Sequence, residues 1–157
     1  MDARIQTLES LPLTMRIVRL PGIHHDANAI LLIGLEEAIL VDSGTAWYQL
    51  LQQERIIGQC GDACKLREIV LTSRRYPFSG GSLSISQHFD NIPISAHHSA
   101  ISSLSTGDFF TTWANRFDSD MPRFDVQGIE ENTVKILDDN SIEILEAPGP
   151  SSCNLLI

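Results

Sequence analysis

The chain has 157 residues, 43% of them hydrophobic and 20% charged, with a formal net charge of -9. That length suits one domain with a real core, and the acidic balance works against binding nucleic acid or anionic membranes, whose phosphates need clustered Lys and Arg. Apolar runs such as 29–35 fall far short of the roughly 20 residues of a membrane span, and Met1-Asp2-Ala3-Arg4 lacks a signal-peptide pattern. The reading is a cytoplasmic protein.

Residues 1–14 read as an N-terminal extension, either disordered or the product of a misplaced start, with a single domain over 15–157. Strands are expected at 16–20, 29–35 and 37–42, the last two joined by a tight turn at Gly34 to Glu36, as an antiparallel start. The run from Trp47 to Ile57 has helical spacing and stops at Gly58. A strand at 68–71, a helix from Gly81 to Phe89 and a strand at 92–96 make a βαβ unit. Functional loops sit at the carboxyl ends of such strands, so Asp42, the loop from Thr72 to Phe78 and His97 are expected along one rim.

No period appears from Ser105 to Gly128. Phe109-Phe110-Thr111-Thr112-Trp113 reads either as a lid over the rim or as a buried satellite core, with burial the expectation for each Phe. Thr133 to Leu137 and Ser141 to Glu146 form a hairpin turned by Asp138-Asp139-Asn140. Cys60, Cys64 and Cys153 leave one thiol over under any pairing, which fits a reducing compartment. The Cys60-x-x-x-Cys64 pair lacks two further soft ligands nearby, so these read as structural thiols.

Thr72-Ser73-Arg74-Arg75-Tyr76-Pro77-Phe78-Ser79-Gly80-Gly81 follows the strand Ile69-Val70-Leu71. It resembles the T-H-x-H-x-D-H-x-G-G loop of the metallo-β-lactamase superfamily, which includes glyoxalase II-like hydrolases. Asn28-Ala29-Ile30-Leu31-Leu32-Ile33 is similar to that superfamily's N-x-Y-L-I strand, and Ala38 to Gly44 to its strand ending in D-T-G. Pro93 to His97 is similar to the strand ending in Ala-His, and Ala147-Pro148-Gly149-Pro150-Ser151-Ser152 to the P-G-H-S loop.

The resemblance implies a four-layer αββα sandwich, of which this chain would carry the first half and the opening strands of the second. The chain then ends early, as a natural truncation or a fragment, and would need a partner to cover an open sheet edge. The implied ligand positions hold Ser73, Arg75, Pro77, Phe78 and Pro150. Proline and phenylalanine offer no lone pair, neutral serine is a poor ligand, and arginine repels a divalent cation.

A complete member would hydrolyse esters, thioesters, lactams or phosphoesters with a metal-bound hydroxide. Here the residues point to a non-catalytic domain with no cofactor, binding a small anion or a protein partner. The candidate ligand-binding residues are Asp42, Ser73, Arg74, Arg75, Tyr76 and His97. A guanidinium fork matches carboxylate or phosphate, and a glycine-opened helix favours anions; the plainer expectation is that Arg75 pairs with Asp42.

Asp42 also suits capping or satisfying loop amides. The alternative is a metal-dependent hydrolase holding Zn or Fe in a displaced site of His24, His25, Asp26, Asp42 and His97. Successive histidines on a strand diverge, however, so at most one of His97 and His98 is expected to face a common ion. Ser151-Ser152-Cys153 lacks a neighbouring histidine or nucleophile elbow, which argues against serine or cysteine hydrolysis.

Overall fold

Strands β1 (Arg16–Leu20), β2 (Ala29–Ile33) and β3 (Glu37–Val41) form the antiparallel start, with registers such as Val18↔Leu31 and Leu31↔Leu40. The computed structural model describes residues 15–61 and 65–157; residues 1–14 and Cys64 lie outside them. After β3 the chain crosses over through α1 (Gln49–Cys60) to β4 (Lys65–Leu71), parallel to β3. Two further parallel strands, β5 (Ile94–His97) and β6 (Gln127–Ile129), complete a six-stranded sheet in the order β1-β2-β3-β4-β5-β6. A second sheet of three strands holds β7 (Thr133–Leu137), β8 (Asn140–Glu146) and β9 (Leu155–Leu156).

Residues alternate across the first sheet, and both of its faces are buried, as the apolar runs 38–41 and 69–71 require. On one face Leu31, Leu40, Ile69 and Leu71 pack with Ile56 of α1, Ile85 of α3 (Ser82–His88) and Leu104 of α4 (Ile101–Thr106). On the other, Leu32, Ile39, Val41 and Val70 meet Leu137, Ile142, Ile144 and Leu155 of the second sheet. The layers are therefore helix, sheet and sheet, as expected for the first half of an αββα sandwich with the opening strands of the second. The outer face of the second sheet leaves Val134, Ile136 and Leu156 more than half exposed.

Polar ties latch the sheets where their hydrophobic contact ends. Lys135 Nζ donates to Glu68 Oε2 at 2.6 Å, so the buried Glu68 carboxylate has a cation from the opposite sheet. Arg67 donates to Glu37 Oε2 at 2.9 Å and to the Ile136 carbonyl at 3.0 Å. Asp138 Oδ2 accepts from the Leu35 amide at 2.6 Å, which joins the β2–β3 turn to the β7–β8 turn.

Several boundaries differ from the sequence reading. Helix α1 runs through Gly58 to Cys60 and ends at Gly61, whose φ of +64° and amide bond to the Ile57 carbonyl close it. The helix expected from Gly81 is preceded by one turn, α2 (Tyr76–Ser79), with Pro77 in its first turn, where a missing N–H costs nothing. Strands β6 and β9 and helix α4 are too short to carry a period. Phe109 and Phe110 are 38% and 71% exposed, against the expectation of burial; they form an edge-to-face pair outside the core. No helix among the described residues is long and apolar enough to cross a membrane.

The glycines provide a paired test. A Cβ at Gly81 would lie 2.9 Å from the Ser43 carbonyl oxygen and 3.1 Å from that of Thr45, both main chain, whereas at Gly58 it would meet nothing within 4 Å. Gly81→Ala should destabilise by about 1–3 kcal/mol. Gly58→Ala should stabilise by about 0.5–1 kcal/mol, both read from urea unfolding midpoints.

Candidate functional site

The loops at the carboxyl ends of β3 and β4 are bound to one another by main-chain and short polar bonds. Ser43 N–H donates to the Phe78 carbonyl at 2.8 Å and Gly81 N–H to that of Gly44 at 2.9 Å. Ser43 Oγ also donates to the Phe78 carbonyl and lies 2.9 Å from Ser82 Oγ. Ala27 N–H donates to the Pro77 carbonyl, and Asp26 Oδ1 accepts from the Thr45 amide and hydroxyl. Three loops thus behave as a single scaffold.

Asp42 sits at the centre of this scaffold with a left-handed φ of +62°. Its Oδ1 accepts from the Thr72 amide at 2.8 Å and its Oδ2 from the Thr72 hydroxyl at 2.7 Å. Burial pushes its pKa up to about 7, outweighing the two Thr72 hydrogen bonds that favour the charged form. The expected ion pair with Arg75 is not formed. Thr72, the residue that follows β4, supplies donors from both backbone and side chain and leaves Asp42 satisfied without a cation.

The arginines turn the other way. Arg75 Nη2 donates to the Pro150 carbonyl, and the guanidinium carbon lies 3.7 Å from the centroid of the Trp113 ring. Arg116 lies 4.4 Å from the same centroid, so two cations share one indole. The Arg74 amide donates to Cys153 Sγ at 3.4 Å, while its Nε is buried with no hydrogen-bond partner. The ion pairs among the described residues involve Arg67, Lys135 and His97, and none of these three arginines. Asp108 comes close enough to Arg74 for its charge to be felt, but its carboxyl is held below the ordinary range chiefly by the Thr111 amide.

The remaining candidates divide. Ser73 is buried and its Oγ accepts from the Arg75 amide at 3.3 Å. Tyr76 is buried, its amide donating to the Thr112 carbonyl and its ring lying 6.0 Å from that of Phe117, so it belongs to the floor of the rim. His24 stacks on Tyr48, and His25 packs against Trp47 and Phe117. With Asp26 on Thr45 and Asp42 on Thr72, the set His24, His25, Asp26, Asp42 and His97 is not gathered around a common point. Among the described residues, the donors that do gather are His97, His98 and Glu146, with one ligand atom of each within 4.8 Å of the others. The expectation of no metal is therefore unsupported.

Arg116 and Glu146 were outside the sequence reading of the site, while Trp113 entered it only in the lid reading of 109–113 and His98 only as the alternative to His97. The divergence expected for His97 and His98 fails because β5 ends at His97 and the chain turns at once into a 3-10 turn over His98–Ala100. The two imidazole centroids lie 4.1 Å apart. Trp113 adopts a left-handed φ of +63°, unusual for a bulky residue, which its contacts with the arginines help to hold.

The Asp42 environment makes stability depend on pH. An acid whose folded pKa is about 7, against 3.8 for an ordinary aspartate, stays protonated in the native state after the unfolded chain has lost its proton. Its contribution is present below about pH 4 and is lost as pH rises towards 7, a span on the order of 4 kcal/mol. Asp42→Asn should remove this slope: the stability difference between variant and wild type, from urea unfolding at pH 4 and pH 8, should shift in favour of the variant at pH 8. A difference independent of pH would contradict the shifted titration.

No family model matches the sequence, and no curated protein matches it. Solved structures do. The BJP-1 subclass B3 metallo-β-lactamase of Bradyrhizobium japonicum aligns at a TM-score of 0.73 and 18% identity, over 92% of this chain and 54% of its own. A Cronobacter sakazakii metallo-β-lactamase described by a HARLDQ motif aligns at 0.71 and 15%, over 88% and 52%. The MIM-1 metallo-β-lactamase of Novosphingobium pentaromativorans aligns at 0.67 and 18%, over 82% and 47%. The chain thus spans about half the length of these proteins, and over that half it has the fold of the metallo-β-lactamase superfamily.

Proposed function

We propose that this chain is a metallo-β-lactamase-fold binding domain whose metal-loop positions no longer support hydrolysis and whose rim arginines take a small anion. One observation carries the reading: Arg75 and Pro150, both at positions where the resemblance implies metal ligands, are joined by a guanidinium–carbonyl hydrogen bond. Ser73 turns to the Arg75 amide, and Pro77 and Phe78 offer only carbonyls already bonded to Ala27 and Ser43. That set contains no imidazole, thiolate or carboxylate, and it places a fixed positive charge where a divalent cation would sit.

The HARLDQ motif of the Cronobacter sakazakii protein has arginine third, as Ser73-Arg74-Arg75-Tyr76-Pro77-Phe78 does. That motif has histidine first and aspartate fifth, where the hexapeptide of this chain has Ser73 and Pro77.

Among the described residues none of Arg74, Arg75 and Arg116 is in an ion pair, and Arg74 Nε is buried without a hydrogen-bond partner, which favours an anion as a counter-charge. With α2 of four residues and α3 of seven, the attraction rests on guanidinium groups rather than on a helix terminus. The class is a small carboxylate or phosphate. A cytoplasmic setting accompanies this reading, since the buried Cys153 thiol is engaged with the Arg74 amide and Ser151 rather than with another cysteine.

In a Trp47→Phe background, Trp113 is the remaining tryptophan and reports on its arginine neighbours. Titration with inorganic phosphate should give a saturable fluorescence change, with Arg75→Gln weakening the affinity roughly tenfold, the loss of about 1.4 kcal/mol of charge-assisted bonding. No saturation in the millimolar range, or equal affinity in the variant, would refute the anion site. The competing reading, a hydrolase with an atypical metal site, has His97, His98 and Glu146 in its favour. Turnover of a chromogenic lactam or thioester that needs added metal and disappears in His98→Ala would establish it; no turnover is expected.

A further inference from the structure

His97 closes β5, and its backbone, at φ -52° and ψ 139°, leads directly into the turn His98–Ala100 that its own side chain caps. Nδ1 accepts the Ser99 N–H at 3.2 Å and lies 2.8 Å from Ser99 Oγ. A nitrogen that accepts carries no proton, so the neutral ring is protonated on Nε2, which donates to Glu146 Oε1 at 2.7 Å. Glu146 is the last residue of β8, so this bond runs from one sheet to the other. The capped turn holds His98 beside His97, with ring centroids 4.1 Å apart.

Two imidazoles and one carboxylate are a ligand set suited to zinc and its neighbours, and three protein ligands leave a position for water. Ligand atoms around a common zinc lie roughly 3–4 Å apart, given bond lengths of about 2.0–2.2 Å. The present atoms, within 4.8 Å of one another, approach that spacing before any side chain moves. The His97 side chain is 6% exposed and fixed, whereas Glu146 is 35% exposed and His98 is open to solvent. The group therefore has an anchored member, two adjustable ones and an entry path.

We propose that His97, His98 and Glu146 bind one divalent transition-metal ion of zinc's class, clamping the end of β5 to the end of β8. None of these is an implied ligand position of the metal loop, and the site is independent of the arginine rim. Occupancy requires His97 to vacate Nε2. Its proton moves to Nδ1, which releases the Ser99 N–H to water and donates instead to Ser99 Oγ, the orienting hydrogen bond that metal-bound imidazoles commonly make. Glu146 exchanges its bond to the ring for a bond to the ion. The carboxylate and two neutral rings together leave the site one net positive charge when filled.

The test uses the full chain, loaded with zinc, dialysed free of loose ion and analysed by elemental mass spectrometry. The expected result is close to one equivalent, with the thermal midpoint rising as free zinc rises, because the ion binds only the folded chain. His98→Ala and Glu146→Gln should each lower zinc affinity by tenfold or more while leaving the metal-free midpoint near that of the wild type; Arg75→Gln should retain the ion. Nitrogen-15 spectra of the histidine rings should show His97 passing from the Nε2–H to the Nδ1–H tautomer on loading. Less than about a tenth of an equivalent in the folded chain would overturn the proposal. So would zinc that persists in His98→Ala, or that is lost only when the cysteines are alkylated. Phosphate binding at Arg75 is unaffected by any of these outcomes, so the two readings fail separately.

Discussion

Face-to-face packing of the three-stranded sheet on the six-stranded one is the constraint on which the rest of the molecule depends. Leu137, Ile142, Ile144 and Leu155 cover Leu32, Ile39, Val41 and Val70, and each such burial contributes about 1.5–3 kcal/mol. The second sheet has no helix layer among the described residues, so this single contact keeps it folded against the domain. Everything the second sheet delivers to the rim, from Glu146 to Pro150 and Cys153, arrives in register because of it. The polar bonds around the perimeter then fix orientation: Lys135 to Glu68 at one end, and Glu146 to His97 with Leu155 N–H to the Thr72 carbonyl at the other.

Electrostatics at the rim follow from a separation of charge. Asp42 is buried, with no cation in contact among the described residues, and its burial outweighs the two Thr72 hydrogen bonds, so its neutral form is favoured up to about pH 7. The arginines lie against Trp113 and the 147–153 loop, in no ion pair among the described residues. In a metal-bearing relative, as the resemblance implies, the ion would stand between such groups. Here the guanidinium of Arg75 spans from its own loop to the Pro150 carbonyl and packs on the Trp113 ring.

Much of the fold was legible in the chain because it rests on local pattern. The three antiparallel strands, the crossover helix, the βαβ unit and the closing hairpin each have a period or a turn signal of their own; the strands at 16–20 and 133–137 have the expected bounds and the others differ by a few residues. Gly58 misled because a glycine stops a helix only where the backbone leaves the helical region, which happens three residues later at Gly61. The site was less legible. The pairing of Asp42 was decided by Thr72, a neighbour across parallel strands, and the convergence of His97 with His98 depended on a strand ending one residue earlier than alternation assumes.

The sequence by itself determined the fold class and the strand ends that form the rim, since hydrophobic periodicity and the Asp42-Ser43-Gly44 and Gly80-Gly81 turns act over a few residues. It also determined the donor groups that residues 73–78 offer, because ligand chemistry belongs to residue type. Only the tertiary structure decided which side chains meet: Arg75 with Trp113 and Pro150, Asp42 with Thr72, and His97 with Glu146. Those pairs lie 30 to 75 residues apart in the chain. Their meeting is set by the register of strands and the closure of one sheet on the other, which no local pattern encodes.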